Sequence, residues 1–167
     1  MAVSRSQKSV LATSLPYATY GALAGIVGGI AIFLVWWLAA GSAIVQALAG
    51  IALITTHTTS PVIGLVAHMV ISIIIGVIYA VVVSVLVPKQ GYGNAALLGL
   101  LNGLVWWIVG AQVISSILAG TPPFATAFTP FALVDLFGHF VYGVVTALVL
   151  VWLVRRNVQV KGGQRVN

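Results

Sequence analysis

The chain has 167 residues, of which 61% are hydrophobic and 5% charged, with one acidic side chain against seven Lys/Arg. Soluble domains carry charge on about a quarter of their residues, so a mean hydropathy of +1.18 excludes an ordinary soluble domain and points to a polytopic membrane protein. The formal charge of +6 comes from Arg5, Lys8, Lys89, Arg155, Arg156, Lys161 and Arg165, scattered over short segments with no basic stripe, which argues against nucleic-acid binding.

The first apolar stretch follows Arg5 and Lys8 and is too long for the h-region of a removable leader. A spanning helix needs about 20 apolar residues, because every backbone N–H and C=O must be satisfied inside the bilayer. Four stretches qualify, at residues 17–40, 64–87, 93–115 and 131–154. Pro88-Lys89-Gln90-Gly91 breaks the chain between the second and third, and Thr121-Pro122-Pro123 with Pro130 breaks it before the fourth. Residues 43–54 are apolar but too few to span, and read as an interfacial or re-entrant segment. With four spans, the Arg5/Lys8 tail, the Lys89 loop and the Arg155/Arg156 tail share one side. The positive-inside rule makes that side cytoplasmic, with both termini on it.

Self-similarity suggests how the spans are related. Leu34-Val35-Trp36-Trp37 recurs as Leu104-Val105-Trp106-Trp107, Leu48-Ala49-Gly50 recurs as Leu118-Ala119-Gly120, and Leu65 and His68 match Leu136 and His139. The expected fold is therefore all-α, a single membrane domain of four transmembrane helices made by parallel tandem duplication of a two-helix unit. Repeat 1 covers about residues 17–87 and repeat 2 about 93–154, flanked by short cytoplasmic tails at 1–14 and 155–167. His68 and His139 would then occupy equivalent places. Gly21, Gly25 and Gly29 in the first span, and Ala95, Gly99 and Gly103 in the third, form strips of small residues four apart. Such strips let a neighbouring backbone approach closely, so the first and third spans are expected to cross each other or to mediate oligomer contacts. Trp36, Trp37, Trp106 and Trp107 fall near the non-cytoplasmic ends of their spans and read as interfacial anchors.

Polar groups inside spans are costly and therefore informative. His68, Ser72 and Tyr79 share one face of the second span; Asp135, His139, Tyr142 and Thr146 share one face of the fourth. Asn102 and Gln112 in the third span are further candidates for the polar interior. Asp135 is the sole carboxylate, and it stands one turn before His139, where it can accept from the imidazole and set its tautomer. At 1.5 Å per residue the pair lies roughly 24–30 Å from Arg155, and His68 lies at about 30 Å from Pro88. Three readings remain open for this constellation: a structural hydrogen-bond network holding the second span against the fourth, a proton or ion relay, and ligation of a haem or chlorin by the two histidines, or of a metal by the same pair. His57, among threonines in the outer connection, reads as a solvated loop residue.

Enzyme chemistry has little support. One carboxylate rules out glycosidase-type pairs, the absence of cysteine rules out disulfides, thiolate metal sites and cysteine nucleophiles, and no Gly-x-Ser-x-Gly, Walker loop or His-Glu-x-x-His occurs.

His68-x-x-x-Ser72 followed by Tyr79, then Pro88-Lys89, the glycine-rich third span, Gly120-Thr121-Pro122-Pro123 and an acidic residue ahead of Gly138-His139 make residues 64–156 resemble the YagU-like family of small bacterial inner-membrane proteins. The chain differs in having Asp135 where a glutamate is expected, and a compact connection after the first span. The resemblance implies a bacterial cytoplasmic (inner) membrane protein without an established reaction. The sequence thus reads as an accessory or scaffold subunit, not an enzyme, of a larger respiratory or photosynthetic membrane assembly. Its partners are the lipid bilayer and other membrane subunits or further copies, and its two histidines are candidate tetrapyrrole ligands. The alternative is an oligomeric proton or small-solute conduit using Asp135 and His139.

Overall fold

In the computed structural model, backbone is described for residues 2–87 and 90–163, and side chains for 16–87 and 90–157. The cationic side chains of Arg5, Lys8, Lys89, Lys161 and Arg165, the Pro88 break and the first fifteen residues' side chains lie outside that description. Every regular element among the described residues is helical.

Helix α1 (Ala2–Ala40) stops where Gly41 takes φ +54°, a left-handed conformation that glycine adopts without the Cβ penalty. A 3-10 turn, Gly41–Ala43, leads into α2 (Ile44–Thr56), which ends on a left-handed His57 whose N–H reaches Leu53 O. Helix α3 (Pro61–Leu86) begins with Ser60 as N-cap and proline in its first turn, where the missing N–H is an orphan in any case. Helix α4 (Tyr92–Trp106) runs into a π-helical stretch, Trp107–Ile114, and then a single α-turn, α5 (Ser115–Leu118). Gly120 at φ +70° ends this run, and turns lead to α6 (Pro130–Gly163).

Four helical stretches are long and apolar enough to cross a membrane: Pro16–Thr56, Pro61–Leu86, Tyr92–Leu118 and Pro130–Asn157. The first stretch contains α1 and α2. Helix α2, with 13 residues, is about 20 Å long, too short to span by itself. It buries Ile44, Leu48 and Ala52 and packs on α3, where Gly64 lets the Leu48 backbone in so closely that no Cβ would fit.

The spans assemble as two crossed pairs, α1 on α3 and α4 on α6, joined along α1 and α6. Each crossing is made by small residues. Gly21 and Gly25 lie against the backbones of Gly76 and Ser72, and Gly29 against Ser72; Gly99 lies against the Gly143 backbone, and Gly103 against that of His139. A Cβ at any of these five glycines would collide, so close van der Waals packing, the main source of association between helices in lipid, depends on their absence. The glycine strips of α1 and α4 are thus filled by α3 and α6 and not by each other, correcting the expectation that the first and third spans cross. A strip of small residues specifies close approach and leaves the partner open.

Two clusters fill the interior. At the end carrying the chain termini, Ala24, Tyr79, Ala80, Val83, Ala95, Ala147, Leu150 and Val151 form an apolar core. Toward the opposite end, Ile32, Trp36, Ile44, Leu48, Ile75 and Tyr142 form a second, against which Trp106 packs from the other pair. Outward-facing side chains such as Leu34, Val70, Ile74, Val82, Leu101, Val105 and Phe137 are exposed, as helices solvated by acyl chains require.

Candidate functional site

His68, Asp135 and His139 gather at the end remote from the termini, where α1, α3 and α6 meet, whereas Tyr79 lies in the cluster nearer the termini. Asp135 and His68 are both buried. Asp135 Oδ1 accepts a hydrogen bond from Trp36 Nε1 at 3.1 Å, linking α6 to α1 across 99 residues of sequence. His139 Nδ1 donates to Asp135 O at 2.8 Å and lies 3.3 Å from Asp135 Oδ1. The i,i+4 spacing along one helix face places these groups together. His139 therefore carries a proton on Nδ1, and in the neutral imidazole Nε2 is left as an acceptor.

His68 is held differently. Its Nε2 donates to Gly29 O at 3.0 Å across the α1/α3 crossing, and the Trp36 indole lies over it with ring centroids 4.9 Å apart and planes tilted by 55°. One turn nearer the termini, Tyr142 Oη donates to Ser72 O at 2.7 Å, tying α6 to α3. Gly138 opposite Trp36 and Ile32, and Gly28 opposite Thr146 and Tyr142, let α1 settle onto α6. The result is one connected constellation: Gly29, His68, Trp36, Asp135 and His139, with Ser72 and Tyr142 beneath it.

Trp36 is the correction that matters most. The sequence reads it as an interfacial anchor, yet it is 6% exposed and donates to a carboxylate, while its neighbour Trp37 is 55% exposed and faces outward. An indole N–H in an apolar interior needs an acceptor, and Asp135 is the carboxylate that meets it. Trp107 likewise is buried and not an exposed anchor, and Trp106 is half-buried. No periodicity in the sequence couples Trp36 to Asp135, so this contact was not legible there.

Of the other candidates, Tyr79, Gln112 and Thr146 are buried and Asn102 half-buried. Tyr79 Oη, Asn102 Nδ2, Gln112 Oε1, Thr146 Oγ1 and Trp107 Nε1 have no hydrogen-bond partner among the described residues. Gln112 sits in the π-helical stretch, a conformation that occurs mostly as local bulges and often near functional positions. His57 is exposed.

The two histidines do not offer a matched pair of ligand nitrogens, since His68 engages Nε2 and His139 engages Nδ1. Among the described residues no three His, Cys, Asp or Glu side chains come together in a metal-binding group. A shallow apolar groove of about 520 Å³ lies beside the cluster, bounded by Val35, Leu38, Ala39, Leu133, Val134 and Phe137.

Fold and composition define the class: among the described residues the regular structure is all helical, with four helices long and apolar enough to be membrane spans. Comparison with protein-family models, curated proteins and solved structures finds no match.

Proposed function

We propose that the protein is a bacterial inner-membrane accessory or scaffold subunit with both termini cytoplasmic, acting through lateral contacts with other membrane subunits or further copies of itself. The observation that carries this reading is the direction in which its polar chemistry points. Trp36, His68, Asp135, His139 and Tyr142 are engaged with one another or with backbone carbonyls inside the bundle, and act as a brace. The faces left for partners are apolar along every span. The resemblance of residues 64–156 to the YagU-like family supports the same membrane.

The tandem duplication belongs to this proposal. Its support is the pairing of crossings: Gly25 meets Ser72 and Gly99 meets Gly143, and Ser72 stands to Gly143 in sequence as His68 stands to His139. The Trp-Trp pairs are less regular, since Trp36 lies seven residues beyond Gly29 and Trp106 three beyond Gly103, a difference of about one turn.

Gentle purification in mild detergent with subunit identification tests the scaffold reading. Stoichiometric partners, or a defined oligomer, are the expected result; a bare monomer overturns it. Tetrapyrrole ligation by both histidines has less support, because the nitrogens left free are different ones, Nδ1 on His68 and Nε2 on His139. An absorbance spectrum of the same preparation decides it, with a Soret-type band that His139→Ala weakens as the positive result.

A specific observation favours a second reading, a proton or small-solute conduit. Ser72, Tyr142 and Thr146 step from the Asp135/His139 pair toward the termini, and Thr146 Oγ1 has no described partner. Against it, the apolar core of Ala80, Val83, Leu150 and Val151 lies beyond Thr146. Proton flux in liposomes discriminates: a conduit loses flux in Asp135→Asn, and unchanged flux removes Asp135 from the path.

A further inference from the structure

At the end of the bundle that carries the termini, Arg155 Nη2 donates to Gln90 O at 3.1 Å and the guanidinium lies 4.6 Å from the centroid of the Tyr92 ring. Next to it, Arg156 stands 5.3 Å from the Trp152 ring. A cavity of about 160 Å³ opens here between α1, α6 and the α3–α4 connection. Tyr17, Gln90 and Arg155 supply its polar lining, and Val87, Leu150 and Val154 are among its apolar lining. Gln90 Oε1 is buried with no described hydrogen-bond partner.

Charge balance makes this corner unusual. The chain has a single acidic side chain, Asp135, which lies about 30 Å along α6 from Arg155 and is already bonded to Trp36. No carboxylate side chain of the protein is therefore within reach of Arg155 or Arg156. Both guanidinium groups are exposed at this end of the bundle, where they can pair with an anion, and at the edge of a bilayer the abundant anions are lipid phosphates. The planar guanidinium, with four of its five N–H groups beyond the Gln90 bond, matches two phosphate oxygens. Gln90 Oε1 is an acceptor and requires a donor, which a phosphate diester alone does not provide but a hydroxylated headgroup does. The valine and leucine surfaces fit the start of an acyl chain.

We propose that this pocket binds the headgroup of an anionic phospholipid bearing a hydroxyl group, of the phosphatidylglycerol type. Arg155 holds the phosphate, Gln90 Oε1 accepts from the glycerol hydroxyl, and the apolar lining seats the adjoining acyl carbons. The site is independent of the subunit reading and survives its failure.

The test uses the full chain, delipidated in detergent and offered phosphatidylglycerol, phosphatidylmethanol (an anionic diester without a hydroxyl) or phosphatidylcholine, with retained lipid counted by native mass spectrometry. Phosphatidylglycerol is expected to be retained about fivefold over phosphatidylcholine, the effect of one cation near an anionic headgroup, and Arg155→Gln is expected to erase that preference. Gln90→Leu is expected to keep the preference for anionic lipid while lowering phosphatidylglycerol to the level of phosphatidylmethanol. Far-ultraviolet circular dichroism confirms that each variant is folded, and Gln90→Leu decides the matter if Arg155→Gln is not. Equal retention of phosphatidylglycerol and phosphatidylcholine by the unsubstituted protein, or an unchanged ratio of phosphatidylglycerol to phosphatidylmethanol in Gln90→Leu, overturns the proposal. Displacement of bound phosphatidylglycerol by millimolar inorganic phosphate overturns the lipid assignment in favour of a soluble phosphate.

Discussion

The two helix pairs share a crossing and differ in how they treat their histidines. In α1/α3 the imidazole of His68 bonds across the crossing to Gly29 O and is covered by Trp36; in α4/α6 the imidazole of His139 turns back to Asp135 on its own helix, and Gly103 faces the backbone of His139 and Phe140. Backbone approach is thus set by small residues alone, and the polar groups near each crossing are free to diverge. The first pair uses its histidine as a cross-brace. The second contributes its histidine and carboxylate to the seam where α6 meets α1.

The largest effect is expected where a side chain is forced into a crossing. Gly25→Val and Gly143→Val each place atoms onto an opposing backbone and are expected to cost about 3 kcal/mol or more, read as a lowered unfolding midpoint in detergent. Comparable losses sustain the equivalence of the two crossings, and tolerance of valine in one pair alone breaks it.

Next comes the seam. Asp135→Ala leaves the Trp36 N–H without its acceptor and is expected to cost about 1–3 kcal/mol, whereas Asp135→Asn keeps an oxygen for the indole and costs less. In a double-mutant cycle, Asp135→Ala loses most of its effect in a Trp36→Phe background; full additivity would mean that the bond contributes nothing to holding the pairs together.

A smaller difference separates the histidines. His68→Phe removes a bond between helices and is expected to destabilise by about 0.6 kcal/mol, the average for such bonds in membrane bundles, while His139→Phe removes one within a helix and costs less of the inter-pair contact. Crosslinking yield between cysteines introduced into α1 and α3 reads the distinction; equal yields in the two variants would erase it. The smallest effect is a gain. A Cβ at Gly110 would meet nothing nearer than Trp106 at 3.9 Å, so Gly110→Ala is expected to raise the unfolding midpoint slightly, by about 0.5 kcal/mol. The same change at Gly28, facing Thr146 and Tyr142, lowers it.

How much of this is legible in the sequence follows from the range of the forces involved. The four spans and the shortness of residues 43–54 come from local hydropathy, and the Asp135–His139 contact from i,i+4 geometry. The strips at Gly21, Gly25, Gly29, Gly99 and Gly103 announce close packing, but the partner helix is decided by shape over the whole length of the spans. Trp36 eluded the reading because a tryptophan near a span end satisfies the pattern of an interfacial residue just as well as that of a donor to a buried carboxylate 99 positions away. The π-helical stretch left no local signature at all, and with it the burial of Gln112 was seen only as a candidate.

That wide turn has a consequence for how the third span tolerates changes in length. Its Ser115 amide reaches back five residues to Gly110 O, so the stretch stores slack in register. Shedding one residue between Trp107 and Ile114 would let it rewind to the ordinary period, so that Ser116, now buried, stays near its present facing. A one-residue deletion there is consequently absorbed by the wide turn, whereas the same deletion in α6, which is regular throughout, turns one side of the helix by about 100° against the other and drags the Asp135 seam out of alignment.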